Sequence, residues 1–155
     1  LNEQINAELY SAYLYLSMSA WFESINLAGF AHWMRIQHQE ETEHAMKFFD
    51  FINNRGERVT LKAIDQPTAS FGSPLDALEN TLDHEQKVTS LINRLYAQSM
   101  EESDYSAQVF LQWFINEQVE EEKTASEIVE QLKMVGDNGT GLLMLDARLG
   151  ERAAA

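Results

Sequence analysis

The chain has no cysteine, two prolines, seven glycines and only 11 lysines and arginines in 155 residues. Without cysteine there are no disulfides and no thiolate metal sites, an absence that fits a cytoplasmic protein. So few prolines and glycines leave long stretches free of helix breakers. Against the 11 basic residues stand 25 acidic ones, for a formal net charge of -14. No basic stripe is available to neutralise phosphates, which excludes nucleic acid and an anionic membrane surface as partners. No apolar run approaches the roughly 18 residues of a membrane span. No secretory leader is visible, and Leu1 already lies inside helical periodicity.

What remains is an apolar content of 45%, enough to build one domain with a sizeable core. Periodicity predicts helices over about 1–24, about 28–55, about 75–102 and about 105–135, and a short fifth over about 142–149. Gly56 supplies a helix stop, and Ser73-Pro74 reads as an N-cap followed by a first-turn proline. Gly136 to Gly141 reads as a hinge. From Glu57 to Ser73 the helical period disappears, and Val59, Leu61 and Ile64 suggest an extended stretch. A second helix of about 26 residues is about 39 Å long. An extended connection of about 17 residues reaches up to about 56–61 Å. The loop can therefore run the length of that helix, which makes helices two and three parallel. The expected fold is an all-α four-helix bundle with one long crossover and a short fifth C-terminal helix.

Polar residues interrupt the seams of these helices. Steps of four and three residues select Ile5, Glu8, Ala12, Tyr15, Ser19 and Phe22 in the first helix. In the second they select Phe30, Met34, Gln37, Glu41, His44 and Phe48. The third gives Leu78, Leu82, Glu85, Thr89 and Ile92, and the fourth Leu111, Phe114, Gln118, Glu121 and Ala125. An unpaired buried carboxylate costs several kcal/mol. Carboxylates at one depth on four seams therefore call for a multivalent cation between them.

Glu41 and His44 form Glu-x-x-His, which places one oxygen and one nitrogen ligand a turn apart on one face. Glu8 and Glu85 each add a carboxylate, and Gln118 and Glu121 arrive from the fourth helix. Such oxygen-rich ligation with one imidazole suits iron or manganese, and zinc also fits. Glu40, Glu117 and Glu120 lie just off the seam and mark a neighbouring, more open cation site. Tyr15, two turns from Glu8, is expected to pack in the core with its hydroxyl near a carboxylate. Trp33 and Trp113 are expected to pack, and His84 to lie at the surface.

Over essentially its whole length the chain resembles the non-haem bacterial and archaeal ferritins. The resemblance rests on Leu1-Asn2-Glu3-Gln4-Ile5-Asn6-Ala7-Glu8-Leu9-Tyr10-Ser11, Gln39-Glu40-Glu41, His44-Ala45-Met46 and His84-Glu85. It continues through Phe110-Leu111-Gln112-Trp113-Phe114 and Glu117-Gln118-Val119-Glu120-Glu121-Glu122. It implies a ferritin-like bundle and a ferroxidase activity, the oxidation of Fe(II) by O2 or peroxide. It also implies storage of ferric mineral inside a cytoplasmic shell of twenty-four subunits, without haem. By the same resemblance Glu8, Glu41 and His44 hold the first iron of a di-iron centre. Glu41, Glu85 and Glu121 hold the second with Gln118 beside it. Glu40, Glu117 and Glu120 match a third iron site, with Glu121 shared, and Tyr15 matches the tyrosine next to the centre.

Symmetric di-iron bundles carry Glu-x-x-His on two helices. Here the fourth helix has Gln118-x-x-Glu121, and no second Glu-x-x-His occurs in the chain. That departure disfavours bacterioferritin, rubrerythrin and the di-iron oxygenases. The alternative reading is a di-iron carboxylate oxidase or peroxidase not dedicated to storage. Leu142, Leu143, Leu145 and Leu149 on the fifth helix are expected to be exposed and covered by a partner.

Overall fold

The computed structural model describes residues 1–154. They contain five helices and no strand: α1 (Asn2–Ser24), α2 (Ala28–Asn54), α3 (Pro74–Glu101), α4 (Tyr105–Val135) and α5 (Gly139–Leu149). The chain divides into two compact units, one of Leu1–Pro74 with the segment from Val135 onward, the other of Leu75–Met134. None of the described helices is long and apolar enough to cross a membrane.

In the first unit α1 and α2 run antiparallel. Ser19 Oγ donates to the Ala31 carbonyl (2.7 Å), and His38 Nδ1 lies 2.8 Å from the Ala12 carbonyl. Partner numbers fall along α1 as they rise along α2. The turn between them closes through Asn26 at φ 63, with Leu27 N–H donating to Phe22 O and Asn26 N–H to Glu23 O. This is a Schellman end with asparagine in the left-handed position. α2 ends the same way on Gly56 at φ 76, with Glu57 N–H donating to Ile52 O. The seam residues Ile5, Ala12, Tyr15 and Phe22 of α1 and Phe30, Met34 and Phe48 of α2 are buried.

The connection after Gly56 has neither helix nor strand and runs along α1 as a strap. Asn2 accepts from Thr60 N–H and donates to the Arg58 carbonyl. Asn6 accepts from Lys62 N–H and donates to the carbonyls of Lys62 and Ala63. Side-chain amides thus give an extended backbone the donors and acceptors that a neighbouring strand would give. Farther on, Ser17 donates to the Thr68 carbonyl and Phe71 packs edge-on against Trp21 at 5.8 Å. Rising residue numbers of the strap match rising numbers of α1, so the strap returns antiparallel to α2.

α5 packs on the start of α2. Asn138 caps it by accepting from Gly141 N–H, so the helix begins at Gly139, three residues before the expected position. The hinge glycines 139 and 141 belong to its first turn. Leu145 and Leu149, expected to be exposed, are buried and Leu142 is half-buried; Leu143 and Met144 are the exposed large apolar residues of the helix. The backbones of Gly29 and Gly150 meet closely, since a Cβ on Gly150 would lie 3.3 Å from Gly29 Cα.

α3 begins at Pro74, and from Leu75 it belongs to the second unit. It ends in another Schellman turn, with Ser103 at φ 52 and Asp104 N–H donating to Ser99 O. Asp104 then caps α4 by accepting from Ala107 N–H. α3 and α4 are antiparallel, tied by Gln108 to the Ser99 carbonyl and by Thr89 to Glu122.

Candidate metal centre

The first unit brings together Glu8 from α1 and Glu41 and His44 from α2. Antiparallel packing sets Glu8 opposite His44, and the helical turn sets Glu41 beside it. One ligand atom from each lies within 4.8 Å of the others, and all three residues are buried. His44 Nδ1 is 3.3 Å from Glu41 Oε2 and 3.9 Å from Glu8 Oε2. Gln4, one turn before Glu8 and itself buried, donates to Glu8 Oε1 at 3.0 Å. Glu8 Oε2 is buried and accepts no hydrogen bond. An acceptor left so beside an imidazole and a second carboxylate is costly in an apolar interior. It is the arrangement a cation ligand takes, and two carboxylates with one imidazole suit iron, manganese or zinc.

The second unit holds Glu85 on α3 and Gln118 and Glu121 on α4, all buried. Gln118 Nε2 lies 3.1 Å from the Glu85 carbonyl, from Glu85 Oε2 and from Thr89 Oγ1. The backbone carbonyl and the carboxylate can only accept, which fixes the amide NH2 on this side. Thr89 Oγ1 donates at 2.6 Å to Glu122 Oε2 and lies 3.0 Å from the Glu85 carbonyl. A chain of polar contacts thus runs from Glu122 through Thr89 and Gln118 to Glu85.

The remaining predicted residues divide by burial. Tyr15 is fully buried in α1. Glu120 is exposed and Glu117 half-buried. Glu40 is half-buried and paired at 2.8 Å with Arg152, beyond the end of α5. His84 is half-buried rather than superficial. Burial, helped by the Lys87 charge, pushes its pKa down from 6.5 to about 4, so it is neutral at pH 7. Trp33 is buried, whereas Trp113 packs on Phe114 with 40% of its surface exposed. Sequence reasoning missed Gln4, Glu122 and Arg152 as neighbours of the site. Gln4 is signalled by its four-residue offset from Glu8. Nothing in the sequence signals Arg152.

A model of the ferritin-like domain matches residues 1–135. The chain belongs to the ferritin-like family. Among ferritin relatives, it is 43% identical to a bacterial non-heme ferritin of Bacteroides fragilis, over 98% of this chain and 94% of that protein. The corresponding protein of Campylobacter jejuni is 42% identical, over 94% of this chain and 87% of its own length. Among solved ferritins, the open-pore ferritin of Archaeoglobus fulgidus matches with a TM-score of 0.98 and 51% identity, over 98% of this chain and 94% of that one. A closed form engineered from that protein matches equally well, covering 99% of this chain and 94% of its own. The all-α, ferritin-like fold class expected from the sequence is the one found.

Proposed function

We propose that the protein is an iron-storage ferritin with ferroxidase activity. The observation that carries this reading is the buried Glu8, Glu41 and His44 set, with the unsatisfied Glu8 oxygen at its centre. Membership of the ferritin-like family supports iron as the cargo. In this reading Glu8, Glu41 and His44 bind the first Fe(II). Glu85 and Glu121 bind the second, with Gln118 beside it. The two ions give one electron each to O2 or peroxide, and proximity makes that two-electron step possible. Tyr15 orders the carboxylates from the core side. Fe(III) leaves through Glu40, Glu117 and Glu120, an outer third site, into the cavity of a twenty-four-subunit cytoplasmic shell.

Gln118-x-x-Glu121 gives the second iron no imidazole, so it is held more loosely than the first. Loose holding suits a site that must release its product. An oxidase or peroxidase acting on an organic substrate would instead need to retain both metals.

Aerobic addition of Fe(II), from a few to several hundred ions per chain, tests the reading. Rapid oxidation with the iron remaining soluble and co-migrating with the protein is expected. Slow oxidation with precipitation outside the protein would overturn it. His44→Ala and Glu41→Ala should each slow the initial oxidation at least about tenfold, as loss of a metal ligand or its partner does. Wild-type rates in both variants would show that the oxidation site lies elsewhere.

A further inference from the structure

Arg152 follows α5 and lies against the same helix that carries Glu41 and His44. Its Nη2 donates to Gln37 Oε1 at 2.7 Å and to Glu40 Oε2 at 2.8 Å, and its Nη1 to the Trp33 carbonyl at 3.2 Å. The guanidinium stacks on the Trp33 ring at 4.6 Å, and the Arg152 carbonyl lies 2.8 Å from His32 Nε2. Arg152 and Glu40 side chains keep only about a fifth of their surface, 21% and 22%. Glu40 adjoins Glu41 in sequence, and Gln37 precedes Glu41 by one turn. The chain's own cation therefore sits on the carboxylate next to the candidate centre.

We propose that Arg152 is a specificity-determining residue. It occupies Glu40 in place of a metal ion, and an ion reaches Glu40 only by displacing it. This rests on the reading of Glu40 as an outer iron ligand. A guanidinium does not deprotonate in proteins, so raising the pH cannot open the pair. Displacement costs the same whichever ion arrives. It therefore keeps weakly held divalent ions off Glu40 at concentrations where a trivalent ion, attracted more strongly, still binds. Fe(II) is turned away from the exit carboxylate and Fe(III) is admitted, which gives the transfer a direction. Displaced from Glu40, Arg152 retains Gln37, the Trp33 carbonyl and the Trp33 ring, so the segment shifts without leaving α2.

The test uses the assembled protein and two redox-inert probes, Tb(III) for the trivalent ion and Mn(II) for the divalent one. Arg152→Gln should tighten the weakest class of Tb(III) sites about tenfold, the scale of one hydrogen bond to a charged group. It should also create a Mn(II) site that the native protein lacks at the same concentration. Glu40→Gln added to Arg152→Gln should abolish both gains. With Trp21 and Trp113 replaced by phenylalanine, Tb(III) should change Trp33 emission when Arg152 is present, and much less in Arg152→Gln. Should Arg152→Gln lower the melting temperature enough to obscure binding, Arg152→Lys serves. It keeps the charge, loses the fork, and should give part of the Tb(III) gain. Unchanged Tb(III) and Mn(II) binding in both Arg152 variants, with a Tb(III) ion lost in Glu40→Gln, would overturn the inference and leave the outer site standing. If neither Glu40→Gln nor Glu120→Gln removes a Tb(III) ion, the outer site itself falls and the inference falls with it. Iron oxidation at Glu8, Glu41 and His44 would remain a separate measurement.

Discussion

The carboxylate of Asp146, on α5, accepts the backbone N–H of Phe30 at 2.9 Å, in the first turn of α2. α2 has no side-chain cap of its own, since Leu27 stands at its N-cap. A residue 116 positions away supplies the missing acceptor and places a negative charge at the positive end of the helix. Asp146→Ala should therefore lower stability by about 1 kcal/mol, the usual value of an N-cap. Asp146→Asn should lose less, because it keeps an acceptor without the charge. Thermal melts of the iron-free protein measure both. The initial rate of iron oxidation should hardly change, since Glu41 lies three turns farther along α2.

Gly29 sits under the same residue. A Cβ at Gly29 would lie 1.7 Å from the Asp146 carbonyl oxygen, which is backbone and cannot rotate away. Gly29→Ala should therefore displace α5 from α2, even though alanine favours helix. A loss of at least about 2 kcal/mol is expected from overpacking of this kind. Hydrogen exchange should rise over residues 139–149 and at Phe30. Gly139→Ala, where nothing lies within 4 Å of the added Cβ, is the matched control and should be neutral or mildly stabilising.

These two sites mark where sequence reasoning stops. Helical periodicity alone identified Glu8, Gln37, Glu41, His44, Glu85, Gln118 and Glu121 as seam residues, and all are buried. The step between seam positions is set by the helix itself, so no tertiary information is needed to find them. Glycine and proline likewise located the C-terminal end of α2 and the start of α3. Asp146 and Arg152 were invisible because their roles depend on where α5 docks, which no local pattern encodes. The strap behaved similarly. Its length was legible, but not that Asn2 and Asn6 would offer it strand-like hydrogen bonds. His84 illustrates the opposite limit, because a residue just off the seam can still lose most of its water.

Glu8 should be destabilising until a cation binds. Its Oε2 is buried and accepts no hydrogen bond, while Oε1 is satisfied by Gln4. Glu8→Gln removes the buried charge and leaves Oε1 free to keep the Gln4 contact. The variant should melt higher than the native protein without metal, by roughly 1–3 kcal/mol in stability. Added Fe(II), kept anaerobic, or Zn(II) should raise the native melting temperature and raise that of Glu8→Gln much less. A variant that melts lower than native without metal would show that the Glu8 charge is compensated within the protein.

Thr89 positions Gln118 and Glu85 without needing to touch iron. Its hydroxyl gives its proton to Glu122 at 2.6 Å and faces the Gln118 amide at 3.1 Å. Thr89→Val keeps the shape, removes both contacts and leaves Glu122 without that donor. Thr89→Ser keeps the hydroxyl. If Gln118 and Glu85 serve the second and looser iron, Thr89→Val should leave uptake of the first Fe(II) per chain intact and weaken the second. The weakening should be several-fold, about the value of one or two hydrogen bonds. Thr89→Ser should restore it, which a general loss of packing would not predict. Anaerobic Fe(II) titration by calorimetry separates the two sites. Equal weakening of both would assign Thr89 to the stability of the α3–α4 pair alone. Glu122→Gln should resemble Thr89→Val only partly, because a glutamine oxygen still accepts from the hydroxyl, and the second-site affinity should fall between native and Thr89→Val.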